Sequence, residues 1–116
     1  MGIQNYAQTF GTGTANNAGA TTVIMAAQGA GKVLSITTGM ISITTAATGG
    51  GGLVSIKDGT AILLSIDGNS VGNTSFNFGD LGYPGTANTA LNLVVEGAVT
   101  TQATARLTLV ALVRGA

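Results

Sequence analysis

No histidine, cysteine or tryptophan occurs in these 116 residues, and there is a single proline, Pro84. Without cysteine there can be no disulfide, no thiolate metal cage and no thiol nucleophile. Without histidine the usual general base at neutral pH is missing, and a Ser-His-Asp triad is excluded. Charge is almost as scarce. Lys32, Lys57, Arg106 and Arg114 stand against Asp58, Asp67, Asp80 and Glu96, for a formal net charge of zero. Charged residues make up 7% of the chain, against about 25% in an average soluble domain. Four scattered cations supply neither a nucleic-acid footprint nor a polybasic membrane patch. No stretch approaches the roughly 18 uninterrupted apolar residues of a transmembrane helix. Residues 1–6 lack the basic and apolar regions of a secretory signal.

What is present is glycine, at 19 residues, with much Val, Ile, Thr, Ser and Ala. Glycine breaks every long window, Glu occurs once, and the β-branched residues favour strands over helices. The length predicts one domain, large enough to bury about two thirds of its unfolded surface without staples. A surface this poor in charge is weakly protected against association. Copies of the chain, or a partner, are therefore expected to cover much of it.

Ile3 to Phe10 reads as a short first strand, and the Gly-, Thr- and Asn-rich residues 11–20 read as a flexible connector. Residues 1–20 are thus expected to be an amino-terminal arm, and residues 21–116 the folded domain. Thr21 to Ala27 is an apolar strand ending at Gln28-Gly29-Ala30-Gly31. Lys32 to Thr37 alternates, with Leu34 and Ile36 on one face. After Gly39 the phase moves to odd positions, Ile41 and Ile43, as a bulge or bend would produce. Ala46 to Gly52, with four consecutive glycines, reads as a mobile loop. Leu53–Lys57 and Ala61–Ile66 flank Asp58-Gly59-Thr60, the clearest hairpin signal in the chain. Thr74 to Phe78 places Phe76 and Phe78 together, and Ala90 to Val95 places Leu91, Leu93 and Val95 inward. The last strand, Ala103 to Val113, is apolar on both faces. Leu107, Leu109, Ala111 and Val113 share one face, Val110 and Leu112 the other, which predicts a core on one side and a neighbouring subunit on the other. About eight short strands between turn signals predict an all-β fold: a single antiparallel β-sandwich, jelly-roll-like.

The residues that could carry chemistry have simpler explanations. Gly29-Ala30-Gly31-Lys32 lacks the earlier glycine of a phosphate loop, where Ala26 stands, and the following Ser or Thr, where Val33 stands. A tight turn accounts for it. Asp58 and Asp67 each precede glycine, where a carboxylate favours a turn through local hydrogen bonds. Calcium on Asp67, Asn69 and Ser70 would lack a full ligand series. Neither Lys32 nor Lys57 stands beside a recognisable serine nucleophile. Tyr83, beside Pro84, could serve as a sugar platform, but a ring pinning its loop to the sandwich edge explains it as well. The chain is expected not to be an enzyme and to need no cofactor or metal.

Ala26-Ala27-Gln28-Gly29-Ala30-Gly31-Lys32-Val33-Leu34 leads into one strand, and Ala90-Leu91-Asn92-Leu93-Val94-Val95-Glu96-Gly97-Ala98-Val99 into the last. Together they resemble the small Gly/Ala-rich β-sandwich proteins encoded among virion genes of tailed bacteriophages. The resemblance spans residues 23 to 113. It departs from the pattern at the loop 44–52 and in the amino-terminal extension. It implies a capsid decoration (cement) protein, assembled in the host cytoplasm, that binds major capsid protein on the outer capsid surface and bridges capsomers as a homo-oligomer, most often a trimer. No nucleic-acid or membrane partner is expected. On that reading Leu107, Leu109, Val110 and Leu112 are the residues expected to serve subunit packing, and Ile3, Tyr6 and Phe10 capsid contact. The alternative is a receptor- or carbohydrate-binding module of a phage tail or spike, using Tyr83 or Asp80.

Overall fold

The computed structural model describes residues 7–15, 21–96 and 99–115. Among them the chain forms nine strands and no helix. These are β1 (Ala7–Ala15), β2 (Thr21–Met25), β3 (Lys32–Thr45), β4 (Leu53–Asp58), β5 (Ala61–Asp67), β6 (Gly72–Asn77), the two-residue β7 (Tyr83–Pro84), β8 (Leu91–Glu96) and β9 (Thr104–Gly115). Two sheets result, of order β1-β9-β3-β6 and β2-β8-β4-β5, with β7 joining the first sheet at Ser35 and Ile36 of β3. Every pairing is antiparallel. With the short β7 set aside, each sheet holds four strands and only β4 and β5 are successive strands of the same sheet, giving the all-β antiparallel sandwich that the sequence predicts.

The core lies where the alternating pattern puts it. Leu34, Ile36, Ile41, Leu107, Leu109 and Ala111 of the first sheet meet Val54, Ile56, Leu91, Leu93 and Val95 of the second, all essentially inaccessible to solvent. The phase change in β3 is a bulge, but it falls at Thr37 and not at Gly39. Ile36 pairs with Ala111 and Thr38 with Val110, leaving Thr37 unmatched. The extra residue is satisfied locally: its hydroxyl donates to the Val110 carbonyl at 3.0 Å, and its own carbonyl accepts from Phe78 N–H at 2.7 Å. Gly39 serves another purpose. A Cβ there would lie 2.5 Å from Phe76 Cζ and 2.6 Å from the Thr108 carbonyl oxygen, so glycine lets the Phe76 ring close over the sheet.

Two segments differ from the sequence reading. The connector expected at 11–20 is strand up to Ala15, since β1 pairs with β9 over nine successive residues from Ala7↔Val113 to Ala15↔Ala105. Its glycines supply room, not slack. A Cβ on Gly11 would meet Ile24 Cγ2 at 2.8 Å, and one on Gly13 would meet Ile24 Cδ1 at 2.5 Å, so β2 packs directly on the β1 backbone. The glycine loop at 46–52 is fastened at both ends. Ala47 N–H donates to Gly68 at 2.8 Å, Thr48 bridges to Thr101, and Gly68 N–H donates to Gly52 at 3.0 Å. Gly49, Gly50 and Gly51 all have φ between 74° and 88°, a left-handed run that side chains resist. They are glycine because the loop has this shape.

Candidate interaction surfaces

Alternation along β9 divides its residues between two environments. Leu107 and Leu109 are fully buried inside the sandwich, so neither reaches a neighbouring molecule. Of the residues read from sequence as subunit-packing, Val110 and Leu112 remain half-buried on the outer face. Around them stand Thr108 and Arg106 of β9 and Thr38 and Met40 of β3, with Thr38 opposite Val110 and Met40 opposite Thr108. Met40 is 39% exposed. At one end of this face Thr37, Thr38, Asn77, Gly79, Asp80 and Leu112 line an open groove of about 260 Å³. Phe10 is in β1, opposite Val110 in register. Ile3 and Tyr6 lie outside the described residues.

The outer face of the second sheet was not anticipated. Val23, Leu53 and Ile62 stand on it 57%, 43% and 56% exposed. Ser55 and Val94, paired in register, point the same way yet are buried, and the Ser55 hydroxyl meets that of Ser65 at 2.6 Å. Beside them Lys57 Nζ pairs with Glu96 Oε2 at 3.3 Å. The face is therefore aliphatic at three points, with its charges matched internally. The signal for Val23 was masked because β2 bulges: Val23 pairs with Asn92 and Met25 with Leu91, so Ile24 and Met25 both turn inward and the strand shows no alternation.

At the end of the sandwich the polar residues hold loops together. Lys32 N–H donates to Gly29 at 3.2 Å, closing a turn, and Asn88 clamps it by accepting from Gly29 N–H at 3.1 Å and donating to the Lys32 carbonyl at 2.7 Å. The segment that mimics a phosphate loop is thus a turn between strands. Asp67 accepts from Asn69 N–H at 2.8 Å, the turn role expected of it. Asp58 does more than shape its hairpin. It is buried, and its Oδ2 accepts from both the N–H and the hydroxyl of Thr86 at 2.8 and 2.6 Å, tying the β4–β5 turn to the loop before β8. Tyr83 pairs with Ile36 through its backbone and sets its ring 5.8 Å from that of Phe78. Its half-exposed ring pins the loop to the sheet edge. Of the four acids, Asp80 is exposed and is not used in this way.

No protein-family model matches the sequence, and no curated protein matches it. Solved structures do match in fold. A chain in the acidic stable capsid structure of Helicobacter pylori bacteriophage KHP30 superposes with a TM-score of 0.62 at 12% identity, over 95% of this chain and 90% of that one. A chain of the Bacillus endospore appendages, described as a novel family of disulfide-linked pili, superposes at 0.57 and 12% identity, over 99% and 93%. At such identity the likeness is one of fold: both share the sandwich. The cysteine-free chain here has no means of forming the disulfide links of the second.

Proposed function

We propose that the chain is a structural virion protein of a tailed bacteriophage, a capsid decoration protein that binds the outer capsid surface and stabilises it by spanning capsomers. The observation that carries this reading is the fold match, over nearly the full length of both chains, to a chain in a phage capsid structure. The surface chemistry supports it. Val23, Leu53 and Ile62 form an aliphatic face whose charges are already paired, suited to a flat protein partner and costly to leave in water. Each aliphatic side chain fully covered there contributes on the order of 1.5–3 kcal/mol. Copies linked to one another gain further, because later contacts form at high effective concentration.

The test uses phage particles made without the protein. Added back, the parent chain is expected to co-sediment with particles and to raise the temperature at which they disrupt. The triple variant Val23→Ser, Leu53→Ser, Ile62→Ser is expected to stay folded by circular dichroism and to lose binding. A second variant, Ile3→Ser with Tyr6→Ser, asks whether the arm shares the contact. A parent chain that leaves particles unbound would refute the proposal. Glycan binding abolished by Tyr83→Ala would favour the receptor-binding alternative instead.

A further inference from the structure

Arg106 and Asp80 are exposed, carry opposite charge and form no ion pair among the described residues. Both belong to the outer face of the first sheet. Arg106 stands on the β9 row Arg106, Thr108, Val110, Leu112, and Asp80 lines the groove at the Leu112 end. Six residues of strand, about 20 Å, separate the two ends. Between them lie Val110 and, across on β3, the exposed Met40. Arg114, the next cation along the row, is turned to the Leu81 carbonyl at 3.5 Å. A face with unpaired opposite charges at its two ends and apolar side chains between them is complementary to itself when reversed.

We propose that this face packs against the same face of a second copy, about a two-fold axis that lies in the interface plane and crosses the sheet near Met40 and Val110. In such an isologous contact residue i meets residue j and j meets i, so one choice of axis satisfies both charges twice. Arg106 of each copy reaches Asp80 of the partner subunit beside Leu112, while Met40 and Val110 supply the dry centre. The strands of this sheet cover on the order of 650 Å², at about 3.3 Å per residue and 4.8 Å between strands. The chain's own loop covers the Ser35 end of this face, where the Ser35 hydroxyl donates to the Leu81 carbonyl at 2.8 Å, so the outer surface of that loop must supply part of the roughly 800 Å² that a standard stable interface takes from each partner. The contact is two-fold, and so yields dimers, or joins trimers, in place of making the trimer that the sequence resemblance implies. It rests on the charges and register of this face and is independent of the capsid proposal; with the second sheet left free, a dimer could still engage a particle.

The absence of cysteine makes the test direct. Met40→Cys, near the axis, is expected to form an interchain disulfide under mild oxidation, and Val23→Cys on the opposite face to remain monomeric on denaturing gels. In sedimentation of the full chain, Arg106→Asp and Asp80→Arg should each weaken self-association about tenfold or more. The double exchange should return it to within about threefold of the parent, since restored pairing and not surface charge is what matters. A parent chain that stays monomeric, a double exchange no better than the singles, or cross-linking through Val23→Cys in preference to Met40→Cys would each overturn the proposal. Particle co-sedimentation of the same variants reads the capsid proposal separately: dimers that ignore particles sink that proposal and leave this one standing.

Discussion

The two outer faces of the sandwich draw on the same small, weakly polar residues, yet they dispose of charge in opposite ways. On the second sheet Lys57 and Glu96 neutralise each other within the chain, beside exposed Val23, Leu53 and Ile62. On the first sheet Arg106 and Asp80 are left apart, and threonines with Met40, Val110 and Leu112 fill the space between. A charge left without an internal partner, in a chain with only eight, is informative because it must be solvated or matched from outside. The first face is thus specific and suits a partner with a reciprocal pattern. The second is aliphatic and undirected, and suits a broad apolar surface. In this chain, with only eight formally ionised side chains, that difference is what the two proposed contacts rest on.

The sharpest way to break the comparison is within β9, where successive residues serve different environments. Leu109→Ala is expected to cost about 2–5 kcal/mol in chemical denaturation, because it opens a cavity in the closed core. Val110→Ala, one residue on, should cost less than about 1 kcal/mol in the isolated chain and act mainly on self-association. Equal losses of stability would mean that Val110 belongs to the core and that the outer face is not a separate surface. Next in size is Gly39→Ala. Its new Cβ would press on the Thr108 carbonyl, which cannot step aside without disturbing β9, so an overpacking cost of about 1–3 kcal/mol is expected. Thr86→Val should come close behind. It removes a hydroxyl donor from the buried Asp58 carboxylate, a loss of about 1–3 kcal/mol measurable by thermal unfolding.

Those residues also show which parts of the structure could be read in advance. The inward faces of β8 and β9 were legible because period-two alternation survives wherever one face meets the core and the strand is regular. The Asp58-Gly59 hairpin was legible because its turn chemistry is local. Gly11 and Gly13 misled because glycine signals slack and close packing with the same symbol, and the Ile24 side chain that decides between them comes from the other sheet. The bulges at Thr37 and Ile24 shifted the pattern without changing composition, which moved one phase change by two residues and hid the outward Val23. Pairings such as β1 with β9 and Thr48 with Thr101 are set by long-range closure, on which short windows are silent. Of the candidate surfaces, Val110 and Leu112 were visible in the sequence. The aliphatic second face was not, nor was the placing of Asp80 and Arg106 on one sheet.

The smallest expected effect sharpens the contrast from the other side. If Lys57 and Glu96 neutralise each other, Glu96→Gln should cost about 0.2–1 kcal/mol, the range for a pair that remains in partial contact with water. The loss should shrink in high salt, since screening weakens the parent's pair and leaves the variant little to lose. A double-mutant cycle with Lys57→Met isolates the pairing from the separate effects of each side chain. The same cycle applied to Arg106 and Asp80 should give no coupling in the monomer, because nothing joins them within one chain, and clear coupling once copies associate. Coupling of both pairs in the monomer would erase the distinction between the faces. Coupling of Lys57 with Glu96 in the monomer, and of Arg106 with Asp80 only on association, would establish that one face keeps its charges for itself and the other holds them for a partner.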